Sequence, residues 1–210
     1  MRKNSLARGL ALVALLVSVA GAAMAATKTD PDWPCIQRKV PELSLGQIWN
    51  GPELPASAKE WSKDREISVL VKELAARRLP IAEAQDQIRN FATTLPAEQK
   101  NTRLTMLAQG LFDHMNRERS QVISGIARYT HKQLELAARL RKEASELDAL
   151  RAKPDADLQQ IEMRTYQLTW ETRVFEERVQ SLTFVCEVPT LIEQRLYALS
   201  KSIMAVLAGE

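Results

Sequence analysis

The chain has 210 residues, of which 26% are charged and 45% hydrophobic, with 29 basic residues against 26 acidic ones. Three of the basic residues, Arg2, Lys3 and Arg8, lie in the first 25 positions, so the rest of the chain carries 26 charges of each sign and is neutral. That balance removes the electrostatic basis for nucleic-acid binding or a strongly cationic membrane surface, and seven glycines among long runs of Ala, Leu, Glu, Lys, Arg and Gln point to an all-α protein.

Residues 1–25 have the layout of a secretory signal peptide: a basic start, an apolar run from Gly9 to Ala20, and the small-residue site Ala23-Met24-Ala25. Cleavage there is expected to leave Ala26 at the new terminus. That residue is followed by Thr27 rather than a cysteine, which argues against a lipid anchor at this site, and Arg2-Lys3 is not a twin arginine. General secretion to a bacterial periplasm or beyond is the expectation. No later stretch approaches 18 uninterrupted apolar residues, so no transmembrane segment is expected after cleavage.

Residues 26–57 form an irregular N-terminal strap. Pro31, Pro34, Pro41, Pro52 and Pro55 deny it continuous secondary structure, while Trp33, Ile36, Val40, Leu43, Ile48 and Trp49 supply apolar anchors for docking on helices. Leu43 to Trp49 has room for one helical turn. Such a strap either packs only, or packs and also forms part of a binding site.

The remaining residues, 58–210, read as a helical bundle. Lys59 to Arg78 is the first expected helix, with Trp61, Leu70, Val71 and Leu74 on its buried side. Ile81 to Thr93 is the second, turning Ala84, Ile88, Phe91 and Ala92 inward. The short break at Leu79-Pro80 predicts that these two pair as a small hairpin. Thr94, ahead of Pro96 and Glu98, is the start signal for a longer helix.

Two long heptad-patterned arms follow, Asn101 to Ala152 and Leu158 to Leu207, joined by the breaker 153–157. The second arm carries Leu158, Ile161, Thr165, Leu168, Thr172, Phe175, Val179, Leu182 and Cys186 at alternating steps of three and four, a stripe for coiled-coil-like packing. The first answers with Leu104, Ala108, Leu111 and Met115, then Val122, Ile126, Tyr129, Gln133, Ala137, Leu140, Ala144 and Leu147, interrupted at 116–120. Folding back at Pro154, with Asp155 as the cap of the second arm, buries one stripe on the other. The expected architecture is an elongated bundle built on a long antiparallel hairpin with arms of about 75 Å. Gly110 and Gly125 raise the alternative of two helices in the first arm, and Pro189 predicts a kink or break in the second.

Cys35 and Cys186 are the only cysteines, and in an oxidising compartment they are expected to form one disulfide, against the alternatives of two buried thiols or a redox pair. With a reversal near residue 154, the polar run Asn116-Arg117-Glu118-Arg119-Ser120 faces Cys186-Glu187-Val188-Pro189, and Cys35 brings Trp33 to the same level. Trp33, Arg117, Glu118, Arg119 and Glu187 are therefore the candidate partner-binding residues. The competing reading makes the same charges an ion-pair network that satisfies a helix break.

Catalytic and cofactor signals are thin. His114 and His131 are about 25 Å apart along one helix and cannot share a metal. A noncovalent haem held by either histidine with Met106, Met115, Met163 or Met204 is the cofactor alternative, and no cofactor is assigned. No phosphate loop, nucleophile elbow or zinc-protease motif is present, so an enzyme or enzyme accessory with an unseen site comes third.

Asp32-Trp33-Pro34-Cys35 and Trp49-Asn50-Gly51-Pro52, with Cys186-Glu187-Val188-Pro189 and Glu193-Gln194-Arg195-Leu196, resemble a group of small exported bacterial helical proteins to which no activity is attached. A weaker likeness is to the periplasmic helical chaperones with L-T-x-x-Q motifs, although Leu95-Pro96-Ala97-Glu98-Gln99 lacks the threonine, and Leu104-Thr105 and Leu168-Thr169 lack the glutamine. The expectation that follows is an exported protein acting by protein–protein binding, as a scaffold, adaptor or chaperone-like molecule. Its partner would be another envelope protein or a second copy of itself.

Overall fold

A computed structural model describes residues 30–209; the expected signal peptide lies outside the described residues. Among those residues every regular element is helical: α1 (Leu45–Ile48), a 3₁₀ segment (Ala56–Lys63), α2 (Arg65–Ala75), α3 (Ile81–Thr94), α4 (Ala97–Arg151) and α5 (Leu158–Ala208). The two long helices α4 and α5 pack against each other as an antiparallel hairpin, and the all-α bundle expected from composition is what forms.

The hairpin turn falls where the breaker predicts, but its cap is Asp157, not Asp155. The Asp157 carboxylate accepts the backbone N–H groups of Gln159 and Gln160 at 2.9 and 3.3 Å, meeting two of the unpaired donors at the α5 start. Both arms run unbroken. Helix α4 continues through Gly110 and Gly125, and α5 continues through Pro189. Pro189 is buried, and it is flanked by buried Cys186 and Ile192; the packing on both sides offsets the roughly 3 kcal/mol that an interior proline costs.

The two glycines of α4 differ in purpose. A Cβ at Gly110 would sit 2.7 Å from Val71 and 2.9 Å from the Trp61 ring, so glycine there permits the 3₁₀ segment and α2 to press against α4. At Gly125 the nearest neighbour is an Arg128 nitrogen at 4.0 Å, and nothing in the structure requires glycine.

The expected helix from Lys59 to Arg78 divides in two at Asp64. Asp64 Oδ1 accepts the Ile67 N–H at 3.1 Å and caps α2, while Arg103 on α4 donates to both Asp64 oxygens, at 3.2 and 3.0 Å. A capping carboxylate held from outside favours a new helix start over continuation. Helix α3 buries Ala84, Ile88, Phe91 and Ala92 as predicted, but α2 and α3 are not chiefly paired with each other. Helix α2 lies mainly on α4, and α3 mainly on α5. Arg195 of α5 holds the corner between them, donating at 2.8 Å to the carbonyls of both Leu74 and Leu79. Thr94 closes α3, its hydroxyl donating to the Phe91 carbonyl, and Pro96 rather than Thr94 stands at the start of α4.

These attachments divide the molecule along its length. The body comprises the early part of α4, the late part of α5, α2, α3, the 3₁₀ segment and the strap. All the large side chains that are completely buried belong to it, including Leu104, Leu107, Leu111, Met115, Ile192, Leu196, Leu199 and Ile203. The arm, beyond about residue 132 of α4 and before about residue 178 of α5, is two helices only.

Candidate functional site

The level singled out by the sequence, where the polar run of α4 meets the disulfide, is the strap's attachment. Cys35 and Cys186 are joined, with Cα atoms 5.5 Å apart and 151 positions between them in the chain. From there the strap runs antiparallel to α4. Asn116 bonds both ways to Leu43, accepting its N–H at 3.0 Å and donating to its carbonyl at 3.2 Å. Arg119 donates to the Val40 carbonyl at 2.7 Å, and the Ser120 hydroxyl to the Pro41 carbonyl at 2.7 Å. The spacing of 116, 119 and 120 puts all three on one face of the helix. Proline-rich backbone has no sheet or helix of its own to satisfy its carbonyls, and this face of α4 supplies the donors.

That arrangement corrects the expected interruption of the seam. Arg119 occupies the seam position itself, in step with Met115 before it and Ile123, Ile126, Thr130 and Gln133 after it, all of them buried. Its aliphatic stem lies in the seam while its guanidinium reaches the strap. A second attraction, to Glu193, spans 3.5 Å with the Arg119 Nε poorly aligned for a hydrogen bond. The stripe departs from the expected one at two positions, with Ile123 and Thr130 buried where Val122 is half-buried and Tyr129 exposed, while Ile126, Gln133, Leu140 and Leu147 are buried as expected. No helix breaks here, so the charges do not serve a break. Glu118 pairs with Arg77 at 3.8 Å, while Arg117 and Glu187 are exposed and enter no ion pair among the described residues.

Trp33 sits in the strap's first turn, half-buried. Its indole N–H donates to the Gln37 carbonyl at 2.6 Å, and the Lys39 ammonium lies 5.9 Å above its ring. Lys39 in turn pairs with Asp30 at 2.6 Å, and this hydrogen bond, with that from the Asp32 N–H, holds the Asp30 carboxyl below its ordinary range. Asp32 accepts from His131 of α4 at 3.0 Å; this bond, with the charges of Asp32 and Glu135, raises the His131 pKa. In the sequence these contacts appear only as the isolated residues Asp32 and His131, 99 positions apart and therefore not connected by any local pattern.

The histidines show no sign of a shared centre. His131 points both ring nitrogens at carboxylates, Asp32 and Glu135. His114 borders a shallow cleft with Lys72, Arg77, Arg78 and Glu118, while its neighbour Met115 is completely buried in the core and Met163 lies exposed on α5. Among the described residues no group of three or more His, Cys, Asp or Glu is arranged to hold a metal ion.

The feature that sequence reading passed over is on the outside of α5. Met163, Tyr166, Trp170, Phe184 and Leu191 are all exposed, Tyr166 and Phe184 to 76% and 74%. Met163, Trp170, Phe184 and Leu191 stand at multiples of seven, and Tyr166 stands one step of three along. They form a second apolar stripe, two residues out of phase with Ile161, Leu168, Phe175 and Leu182 and therefore about 200° around the helix from the seam. Glu187, chosen earlier for its nearness to Cys186, stands on this stripe as well, at a multiple of seven from Tyr166.

No family model, curated protein or solved structure matches this chain. Among the described residues no helix is long and apolar enough to cross a membrane. The geometry of the stripe and of the strap's attachment therefore carries the functional reading.

Proposed function

We propose that this is an exported envelope protein that acts by binding another polypeptide, as a scaffold, adaptor or chaperone-like molecule, through the outer face of α5. The observation that carries the reading is the exposed stripe of Met163, Tyr166, Trp170, Phe184 and Leu191. A chain that buries Leu104, Leu196 and Ile203 completely gains nothing in water from leaving two aromatic rings, a tyrosine and two aliphatic side chains exposed in line; large aromatic anchors in a row are what helix-in-groove and helix-on-helix recognition uses. Export is supported by the Cys35–Cys186 disulfide, which persists in an oxidising compartment, together with the charged and apolar layout of residues 1–25. That pairing is what supports the proposal of a periplasmic location.

The residues first chosen as a binding surface divide under this reading. Glu187 belongs to the docking face, while Trp33, Glu118 and Arg119 hold the strap and the corner beside it; Arg117 faces solvent close by. A photoreactive amino acid placed at Trp170 or Phe184 in the exporting cell is expected to give discrete adducts with a polypeptide, and at Lys142, exposed on α4, to give none. Absence of adducts at both stripe positions in correctly exported, disulfide-bonded protein would remove the reading.

A further inference from the structure

The centre of the α5 stripe is polar, and its polarity is ordered. Between the apolar group Met163, Tyr166 and Trp170 and the apolar group Phe184 and Leu191 stand Arg173, Glu177 and Gln180, on the same face by the same steps of three and four. Arg173 and Glu177 form an ion pair within the helix at 3.1 Å and are 79% and 64% exposed, so each has capacity for a second partner. Read backwards, the stripe keeps its order: apolar residues, a charge of one sign, a charge of the other, apolar residues. Turning a copy of α5 end for end about a point near residue 175 sets Arg173 against Glu177 of the copy and Glu177 against its Arg173. The same register sets Tyr166 against Phe184, Trp170 against Gln180 and Met163 against Glu187, each twice, so that the rings of Tyr166 and Phe184 and the charges of Arg173 and Glu177 are the matched contacts. A parallel copy would instead oppose Arg173 to Arg173 and Glu177 to Glu177, which costs rather than contributes.

The outer face of α5 is open from Met163 to Leu191, a run of about 42 Å.

We infer that a second copy of this chain covers the outer face of α5, in an antiparallel two-fold arrangement that joins two hairpins into one four-helix arm. This rests on the reading of that face as a polypeptide-binding surface and names its occupant. The closed two-fold symmetry makes the contact self-limiting, since each copy offers its stripe once.

The test is the mass in solution of the purified, disulfide-bonded protein by sedimentation equilibrium. Wild type is expected at twice the chain mass at about 100 µM, with Arg173→Glu and Glu177→Arg each weakening association at least about tenfold. Mixing the two single variants is expected to restore the dimer, because at one end the new acid at 173 of one chain then meets the new base at 177 of the other, and at the other end the first chain's Glu177 meets the second chain's Arg173. The double variant R173E/E177R is expected to dimerise by itself for the same reason. Both side chains lie largely in solvent, and an unchanged helical signal and melting temperature for each single variant checks that folding is intact. A wild type that stays monomeric, single variants that associate as well as wild type, or a mixture that fails to recover would each overturn the inference. Monomeric protein whose Trp170 photoadduct in the cell is a different polypeptide would overturn the second copy and leave the binding face in place.

Discussion

The body and the arm are made by the same two helices, yet they are stabilised differently. In the body, where α2, α3 and the 3₁₀ segment also pack on the hairpin, a seam side chain is buried completely, as Leu111 and Leu196 are. In the arm it meets one helix only. On its α4 side Leu140 and Leu147 are buried, but on its α5 side Leu168, Thr172 and Phe175 are half-buried and Val179 is 43% exposed. A stripe pattern of equal quality in the sequence thus leads to unequal burial, because the number of elements around a position, and not its periodicity, sets how much apolar surface leaves water. The arm supplements its seam with polar clasps such as Arg139 to Glu171 at 2.9 Å, and its second stripe is exposed.

The largest test of this contrast is a pair of matched truncations. Leu196→Ala is expected to lower unfolding stability by about 2–5 kcal/mol, whereas Leu168→Ala, at a half-buried position, is expected to cost about 1 kcal/mol; denaturant melts of the two variants compare them directly. Similar losses would mean that the arm is packed as tightly as the body.

A sharper version uses the two glycines of α4. Gly110→Ala forces Val71 and Trp61 to move and is expected to destabilise by about 1–3 kcal/mol. Gly125→Ala, with open space around it, is expected to stabilise by roughly 0.5–1 kcal/mol by lowering backbone entropy in the unfolded chain. Melting temperatures moving in opposite directions would establish that only the first glycine is required by packing.

The smallest effects are in pH, and the arm and the strap should respond with opposite sign. Hydrogen bonds from Gln167 and then Arg139, with the charge of Arg139, lower the Glu171 pKa. Its contribution to the arm is present above the ordinary glutamate value and is lost as pH falls through the lowered one. The His131 pKa is raised by Asp32 and Glu135. Its contribution to the strap's first turn is complete below the ordinary imidazole value and disappears as pH rises through the raised one. Amide protection factors, corrected for intrinsic exchange, should therefore fall at residues 30–35 on going to alkaline pH and around Glu171 on going to acid. His131→Gln should abolish the first trend alone.

The parts of the architecture that were legible are those governed by local chemistry. The inner face of α3, the turn after residue 152, the proline-rich strap with one short helical turn, and the pairing of the only two cysteines follow from periodicity, proline and an even cysteine count. The parts that were not legible depend on neighbours. Asp64 divides a helix because Arg103 holds it from another element, and Asp157 takes the capping role that Asp155 equally offers in sequence. Arg119 looks like an interruption until the strap's carbonyls are in place to receive it. The candidate site followed the same rule: Glu187 was found by its place beside Cys186, while the face to which it belongs could be recognised only after the α4 contact had accounted for the other side of α5.

By itself, then, the sequence determined that this protein is helical, that its chain doubles back, and which sulfurs would meet, because apolar spacing, a proline breaker and a count of two cysteines act through local or pairwise physics. Only the tertiary structure decided that α5 runs through Pro189, that Gly110 is a contact and Gly125 is not, and which of the two α5 stripes lacks a partner. Each of those outcomes depends on which surfaces are already covered by other elements, and coverage is a property of the assembled fold that no run of neighbouring residues encodes.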